Sequence, residues 1–154
     1  MVKIRFVSIW CIVFCIGVMI LFGCGPRREF KQVRYPNGQL SEQYYVIKDN
    51  KGNYLRDGKY LMWYENGQKK AETTFKAEKP EGLYTAWYDN GRKMEEGTYK
   101  DGLPEGPVTM WYENGQKKLE GTFRGGKENG HFTYYQEDGR KKVELVYKDG
   151  QIVK

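Results

Sequence analysis

The side chains of this chain that could carry chemistry recur at a fixed interval and do not gather at one point. Tryptophan stands at positions 63, 87 and 111, and tyrosine takes position 135, so 24 residues separate each aromatic side chain from the next. Glutamate follows the same interval, at Glu72, Glu96, Glu120 and Glu144. A constant period of this length indicates a repeat architecture, in which equivalent side chains form one repeated surface.

The catalytic inventory is short. His131 is the only histidine, and the equivalent positions of the other repeats hold Lys59, Leu83 and Pro107, an exchange typical of a surface residue. Cysteine occurs only at positions 11, 15 and 24, so the rest of the chain has no thiol for nucleophilic catalysis or zinc binding. We interpret the repeated glutamates as solvated cross-strand partners, not as a paired acid and base. The sequence therefore predicts a non-enzyme with no catalytic residue, metal or cofactor.

Antiparallel hairpins must position these side chains. Each repeat contains the motif WYENGQKK or a variant of it, and Asn-Gly or Asp-Gly pairs such as Asn66-Gly67 are strong signals of a two-residue type I′ turn. The segments on either side alternate with period two, and glycine-rich exits such as 100–106 are interpreted as longer turns. The predicted fold class is all-β. We expect a single-layer antiparallel β-meander of repeated hairpins, preceded by an N-terminal hydrophobic signal segment.

The register of a two-residue turn assigns each side chain to one face of the sheet. On the more apolar face, it places Tyr84 opposite Gly97 and Val108 opposite Gly121. A large side chain would then cover the bare backbone of each glycine.

The other face carries a column of aromatic side chains, which we call the aromatic strip. The predicted strip consists of Trp63, Trp87, Trp111 and Tyr135, with Lys70, Lys118 and Lys142 directly opposite three of these rings. One interpretation is structural, because rings on an exposed sheet often pack on each other and on lysine stems. The more specific hypothesis is a binding strip, in which rings and cations offer stacking and charge to an extended ligand.

The N-terminus has the features of a targeting segment. Lys3 and Arg5 precede an uncharged, mostly apolar run over residues 6–23. The run ends in Leu21-Phe22-Gly23-Cys24, which resembles a bacterial lipobox whose cysteine is lipidated at Cys24. The alternative is an uncleaved transmembrane anchor, because about 18 apolar residues suffice to span a bilayer. The predicted organisation is a lipoprotein signal peptide (or membrane anchor) over residues 1–23, a tether over 24–32 and β-hairpin repeats over 33–154.

The repeat residues resemble MORN-repeat proteins, specifically the bacterial variant group known as YwqK-type antitoxin-like proteins. The resemblance rests on WYENGQKK, on the GTYKDG block at 97–102 with its variant at 121–126, and on the recurring Glu-Gly at 81–82 and 105–106. It covers nearly everything after residue 33, and it implies a sheet of hairpins that works as a repeat module. The family name also implies, as an alternative function, an antitoxin-like inhibitor of a protein toxin.

Charge limits the partners that we expect. The chain has 26 basic and 20 acidic residues, a formal net charge of +6, and its lysines alternate with glutamates. No long basic stripe forms, so the pattern does not indicate nucleic-acid binding. The predicted function is a membrane-tethered, non-catalytic binding or scaffolding module. We expect it at the bacterial cell membrane or outer membrane, lipid-anchored, with its repeats outside the cytoplasm and a protein or envelope polymer as partner. A carbohydrate-active envelope enzyme is a further alternative.

Overall fold

The structure, a computed structural model, describes residues 27–154, and all regular elements in that range are β-strands. The first seven strands are β1 (Glu29–Arg34), β2 (Leu40–Lys48), β3 (Tyr54–Trp63), β4 (Lys69–Lys76), β5 (Lys79–Pro80), β6 (Gly82–Trp87) and β7 (Lys93–Lys100). The remaining six are β8 (Leu103–Trp111), β9 (Lys117–Arg124), β10 (Lys127–Glu128), β11 (Gly130–Tyr135), β12 (Lys141–Lys148) and β13 (Gln151–Ile152).

These strands form one open antiparallel sheet. Neighbours in the sheet follow the order β1-β2-β3-β4-β6-β7-β8-β9-β11-β12-β13, while the short strands β5 and β10 pair with β4 and β9. Apart from these two short strands, strands that are neighbours in the sheet also follow each other in the chain. This order is expected because alternating side chains and frequent turn signals favour hairpins. The predicted all-β meander of repeated hairpins is confirmed.

The prediction of type I′ turns at the Asn-Gly tips is wrong. In the first WYENGQKK hairpin, the Gly67 amide donates to the Tyr64 carbonyl (2.9 Å), and the Tyr64 amide donates to the Gln68 carbonyl (2.8 Å). Gly67 has a φ of 83°, whereas Asn66 keeps a negative φ. This is a three-residue loop that ends in a left-handed glycine, the second commonest kind of hairpin connection. The Asn66 side chain stabilises it by accepting the Gln68 amide (2.9 Å).

The longer loop changes the register near each tip. Trp63 lies opposite Lys69, and the pairing then shifts by one residue so that Met62 lies opposite Ala71. Lys70 is the extra residue of this β-bulge, so the predicted pairing of Trp63 with Lys70 is wrong. The loop and the bulge each displace the register by one residue in opposite senses. Pairs deeper in the hairpin therefore agree with the prediction, as Tyr60 opposite Thr73 does.

Two-residue turns occur instead at the opposite ends of the hairpins. The exits pair Lys76 with Lys79, Lys100 with Leu103, Arg124 with Lys127 and Lys148 with Gln151. Both central residues of each exit have positive φ, as at Asp101 (51°) and Gly102 (89°), which is the geometry of a type I′ turn. The prediction of longer exit turns is therefore wrong. The two-residue type I′ turns predicted for the tips lie at the exits, and the longer loops lie at the tips.

The more apolar face contains most of the buried side chains of the repeats. Tyr84 lies opposite Gly97 and Val108 opposite Gly121, as predicted. Phe132, only 1% exposed, is the largest fully buried side chain of the described residues, and it packs edge-on against Phe123 with ring centroids 5.5 Å apart. A Cβ atom at Gly121 would come within 2.3 Å of its ring. Phe132 on strand β11 therefore covers this glycine in place of Val108, the predicted residue, and such a contact stabilises bare backbone in a sheet.

Asp57 attaches the N-terminal part of the sheet to the repeats. Asp57 is buried, and its carboxylate accepts hydrogen bonds from the Arg28 guanidinium at 2.7 Å and from the Ala77 amide at 3.2 Å. Strand β1 begins at Glu29, so the predicted tether over 24–32 shares its last residues with the first strand. The predicted signal segment 1–23 and the lipidated Cys24 lie outside the described residues. Between residues 27 and 154, no helix has the length and apolarity needed to span a membrane.

Candidate functional site

The aromatic strip is present as one column across the sheet. Its four rings come from the last residues of strands β3, β6, β8 and β11 and are all half-buried: Trp63, Trp87, Trp111 and Tyr135. Directly opposite them on the return strands stand four lysines: Lys69, Lys93, Lys117 and Lys141. Rings and ammonium groups therefore alternate from strand to strand along the column.

Two lysines of the strip, Lys69 and Lys93, each contact both a glutamate and the ring of the next repeat. The Lys69 ammonium lies 2.7 Å from the Glu72 carboxylate and 5.1 Å from the centroid of the Trp87 ring, which belongs to the next repeat. Lys93 repeats the arrangement, 2.5 Å from Glu96 and 5.7 Å from the centroid of Trp111. An ammonium group and the aromatic face beneath it attract each other electrostatically. The lysines thus connect successive rings while remaining ion-paired. Two further ion pairs continue this row, Lys117 with Glu120 and Lys141 with Glu144.

The ion pairs lower the pKa of Glu72, Glu120 and Glu144 on this face. Hydrogen bonds from Lys59 and then Lys69 lower the pKa of Glu72 below its usual value, and Lys117 followed by the Tyr135 hydroxyl lowers the pKa of Glu120. The Tyr135 hydroxyl donates to Glu120 at 2.6 Å. A glutamate with a lowered pKa is a poor proton donor at neutral pH, so these carboxylates suit hydrogen-bond acceptance better than general-acid chemistry.

The lysines that the sequence assigned to the strip lie elsewhere. The Lys70 ammonium is 5.4 Å from the centroid of the Tyr64 ring, and Lys118 stands in the same way 5.6 Å from Tyr112. Lys142 lines a cleft with Tyr134 and Leu145 of the apolar face. The cause is the bulge beside each tip, which gives the position opposite the strip ring to the preceding lysine. The four aromatic residues of the predicted strip are brought together, and its three lysines are replaced by their sequence neighbours.

The tip motif also attaches each hairpin to the next one. The Tyr64 hydroxyl donates to the Trp87 carbonyl at 2.8 Å, and the amide of Asn66 donates to the Asp89 carbonyl at 2.8 Å. The tyrosine contact recurs throughout the array, from Tyr35 to Trp63, from Tyr88 to Trp111 and from Tyr112 to Tyr135, at 2.7–2.9 Å. These bonds fix the carbonyl of each strip residue and hence the spacing of the rings.

A second ladder joins the exit turns, and sequence reasoning missed it. The Glu81 carboxylate accepts the Asp101 amide at 2.8 Å, and Glu105 accepts the Gly125 amide at 2.6 Å. Asp57 makes the equivalent contact to Ala77. The sequence shows the signal, because acidic residues recur there every 24 positions beside a glycine. The Glu-Gly pairs therefore hold successive repeats together at the end opposite the strip.

A groove of about 370 Å³ runs beside Trp87 on the strip face. Polar and apolar surface contribute similarly to its lining, which consists of Glu72, Thr73, Thr74, Leu83, Thr85, Trp87, Lys93 and Glu96. His131, the predicted surface residue, is exposed and hydrogen-bonds Glu144, much as Lys59 pairs with Glu72 at 2.7 Å. Within the described residues, no group of three or more His, Cys, Asp or Glu side chains is placed to hold a metal ion.

The hairpin array, with its ladders at both strand ends, defines a β-repeat protein whose repeats act as equivalent units. Three of these units, residues 56–77, 80–101 and 104–124, match the family model described as MORN repeat variant. Such repeats are generally non-catalytic binding or repeat modules. A comparison with curated proteins gave no match to this chain.

Proposed function

We propose that this chain is a lipid-anchored, non-catalytic binding and scaffolding module of the bacterial cell envelope, and that the aromatic strip is its binding site. The observation that carries the proposal is the column of four half-buried rings on the polar face of an open sheet. Because the rings are presented by equivalent hairpins, an extended partner can contact several of them at once. Weak contacts that are linked in this way add to a useful affinity.

The anchoring part of the proposal rests on the sequence Leu21-Phe22-Gly23-Cys24. A single acyl chain gives only marginal membrane binding, so stable attachment requires more than one chain or a second membrane contact. We expect the Cys24→Ala variant to accumulate as an unprocessed precursor that no longer incorporates labelled fatty acid. Equal labelling of the variant and the wild type would contradict lipidation and favour the transmembrane anchor.

The ion pairs of the strip support the non-catalytic assignment. Three of the repeated carboxylates, Glu72, Glu120 and Glu144, have lowered pKa values, and each is engaged by a lysine. A glycosidase needs one carboxyl group with a raised pKa beside a second, ionised one. We therefore expect no turnover when the full-length chain is incubated with cell-wall glycans. Hydrolysis that is abolished by Glu72→Gln or Glu120→Gln would contradict the proposal and establish the enzyme alternative.

A pull-down from envelope extract tests the binding site. The bait is the processed, lipidated protein, compared with its Trp87→Thr/Trp111→Thr variant, whose fold is checked by circular dichroism. We expect the wild type to retain an envelope component that the folded variant loses. If the strip serves only for packing, the variant is less stable but captures as much of the component per folded molecule, and this outcome would reject the strip as a binding site.

A further inference from the structure

The spacing of the strip rings suits a ligand with a regular repeat. The rings stand on every second strand of the sheet, because one return strand lies between Trp63 and Trp87 and another between Trp87 and Trp111. Neighbouring strands lie about 4.8 Å apart, so successive rings repeat at roughly 9.5 Å. This distance is comparable with the length of one disaccharide unit in an extended glycan with β-1,4 linkages. Every second sugar of such a chain would meet a ring.

The chemistry of the strip matches such a chain. One face of a pyranose ring is lined by C–H groups, which pack on a flat aromatic side chain, while its hydroxyl groups both donate and accept hydrogen bonds. Between two rings the strip offers a donor and an acceptor together, such as Lys93 with Glu96. The groove beside Trp87 is also lined by Thr74 and by the buried Thr85. We propose that the strip binds an extended, uncharged glycan with β-1,4 linkages. This inference rests on the proposed function and specifies its ligand.

The charges of the strip distinguish this ligand from a polyanion. All four strip lysines are ion-paired to a glutamate three residues further along: Lys69 to Glu72, Lys93 to Glu96, Lys117 to Glu120 and Lys141 to Glu144. The row therefore carries no net charge. A nucleic acid or an anionic lipid surface gains its affinity from unpaired cations that release counterions, which this row does not provide. An uncharged glycan needs only hydrogen bonds, which it can form with the ion-paired side chains in place of its hydrogen bonds to water.

The twist of the sheet limits how many rings one glycan chain reaches. Adjacent strands of a twisted sheet are rotated by about 20–25°, so rings two strands apart are rotated by roughly twice that angle. A flexible oligosaccharide can follow this rotation over two or three rings, whereas the flat surface of a crystalline polysaccharide cannot. We therefore expect soluble oligosaccharides to bind, with an affinity that increases with length and then levels off.

The experiment titrates the full-length chain with chitin oligosaccharides. The protein is kept in a polyoxyethylene detergent, because sugar-based detergents would compete for the strip, and binding is followed by calorimetry and by tryptophan fluorescence. We expect the affinity to rise about tenfold from the disaccharide to the tetrasaccharide, since each ring that stacks contributes about twofold to tenfold. It should rise less from the tetrasaccharide to the hexasaccharide. Changing the salt concentration should have little effect.

Two variants locate the binding. Trp87→Thr/Trp111→Thr removes two strip rings and should weaken hexasaccharide binding by about tenfold or more. Tyr54→Thr is the matched control, because Tyr54 is an exposed ring with Lys31 at 5.1 Å and Lys48 at 4.9 Å, outside the strip. It should leave the affinity unchanged. If the strip variant fails to fold, the length dependence of the wild type still decides the matter.

Several results would overturn the inference. They are no binding of any oligosaccharide, equal affinity for the disaccharide and hexasaccharide, or equal losses in both variants. If the pull-down depends on the strip but the wild type binds no oligosaccharide, the proposed function stands and the glycan does not. Strong salt dependence, together with binding to anionic vesicles, would identify an anionic surface as the ligand instead.

Discussion

Glu95 and Glu96 are neighbours in strand β7 and lie on opposite faces of the same sheet. Glu96 points to the aromatic strip and pairs with Lys93 at 2.5 Å. Glu95 lies on the apolar face opposite Ala86 and Met110, where none of the described residues forms an ion pair with it. Burial raises the pKa of Glu95 above its ordinary value. On the strip face the charged side chains are therefore ion-paired and hydrated. The apolar face instead buries apolar side chains against the sheet.

The contrast indicates that the two faces of each repeat have different roles. The apolar face and the ladders at both strand ends stabilise a sheet that has only one layer, and the strip face is the one that we propose to bind the partner. In a repeat array each unit contacts mainly its neighbours, so damage to the apolar face should remain local. The comparison can be tested at single residues.

The largest effect is expected at Gly121. A Cβ atom there would lie 2.3–2.6 Å from three atoms of the Phe132 ring, whereas at the equivalent Gly97 the nearest atom, Val108 Cγ2, is 3.5 Å away. Neither glycine has a positive φ, so only the space differs. We expect Gly121→Ala to lower the free energy of unfolding by about 1–3 kcal/mol, the usual cost of overpacking. Gly97→Ala is the control and should change it by less than about 1 kcal/mol. Chemical denaturation measures both, and equal losses would contradict the packing of Phe132 on Gly121.

An effect of the same order is expected at the tip turns. Gly91 has a φ of 83°, which a β-branched side chain adopts only with strain, and Gly91→Val should cost roughly 1–3 kcal/mol. Gly91→Asn is the matched control, because asparagine tolerates this conformation better. Hydrogen exchange should show the loss of protection in the β6–β7 hairpin and its neighbours. Unchanged protection there in the valine variant would refute the tip geometry.

The pH dependence of stability in the Glu95→Gln variant tests the apolar face. The pKa of Glu95 in the folded protein lies above the ordinary value of 4.5 because of burial, so the stability contributed by its neutral form is complete below pH 4.5 and is lost as the pH rises through the folded pKa. We expect Glu95→Gln to raise the free energy of unfolding at neutral pH by about 1 kcal/mol, because the half-buried charge pays only part of the full desolvation cost. The gain should vanish below pH 4.5.

Glu120→Gln on the strip face is the control, and its sign is opposite. Lys117, followed by Tyr135, lowers the pKa of Glu120, so its contribution is present above pH 4.5 and is lost as the pH falls through the folded pKa. The substitution should lower the stability at neutral pH by at most about 0.5 kcal/mol, since the pair is largely exposed. Denaturation curves between pH 3 and pH 8 that move both variants in the same direction would contradict the contrast between the faces.

The sequence predicted most of this fold because its main signals are periodic. The constant interval, the alternation and the Gly-containing turns specify hairpins, and pairs far from the tips, such as Val108 with Gly121, follow from them. The turn types were not predictable from the Asn-Gly pair alone. The tip geometry also depends on Tyr64 and Asn66, which bond to the next hairpin, and a single sequence does not show those contacts.

The sequence predicted the four rings of the candidate site correctly but assigned the wrong lysines to it. Both outcomes follow from the register of the hairpins. A register error of one residue moves a side chain to the other face, and the bulge introduces such a step only beside the tip. The positive φ at Ala77 was also beyond the sequence, because its amide is held by Asp57, a residue 20 positions earlier. The residues next to Ala77 do not indicate this long-range contact, and its sign in the sequence is the acidic residue that recurs beside a glycine every 24 positions.

The central claim, that the strip face binds and the apolar face holds the fold, is tested most directly by two adjacent residues of strand β8. Trp111 belongs to the strip, and Met110 lies on the apolar face opposite Leu119 and Glu95. The measurement is the affinity of the envelope component from the pull-down for Trp111→Thr and Met110→Thr, at equal concentrations of folded protein. We predict weaker binding for Trp111→Thr and wild-type binding for Met110→Thr, although the latter should be the less stable. Wild-type affinity in folded Trp111→Thr, or an equal loss in both variants, would contradict the claim.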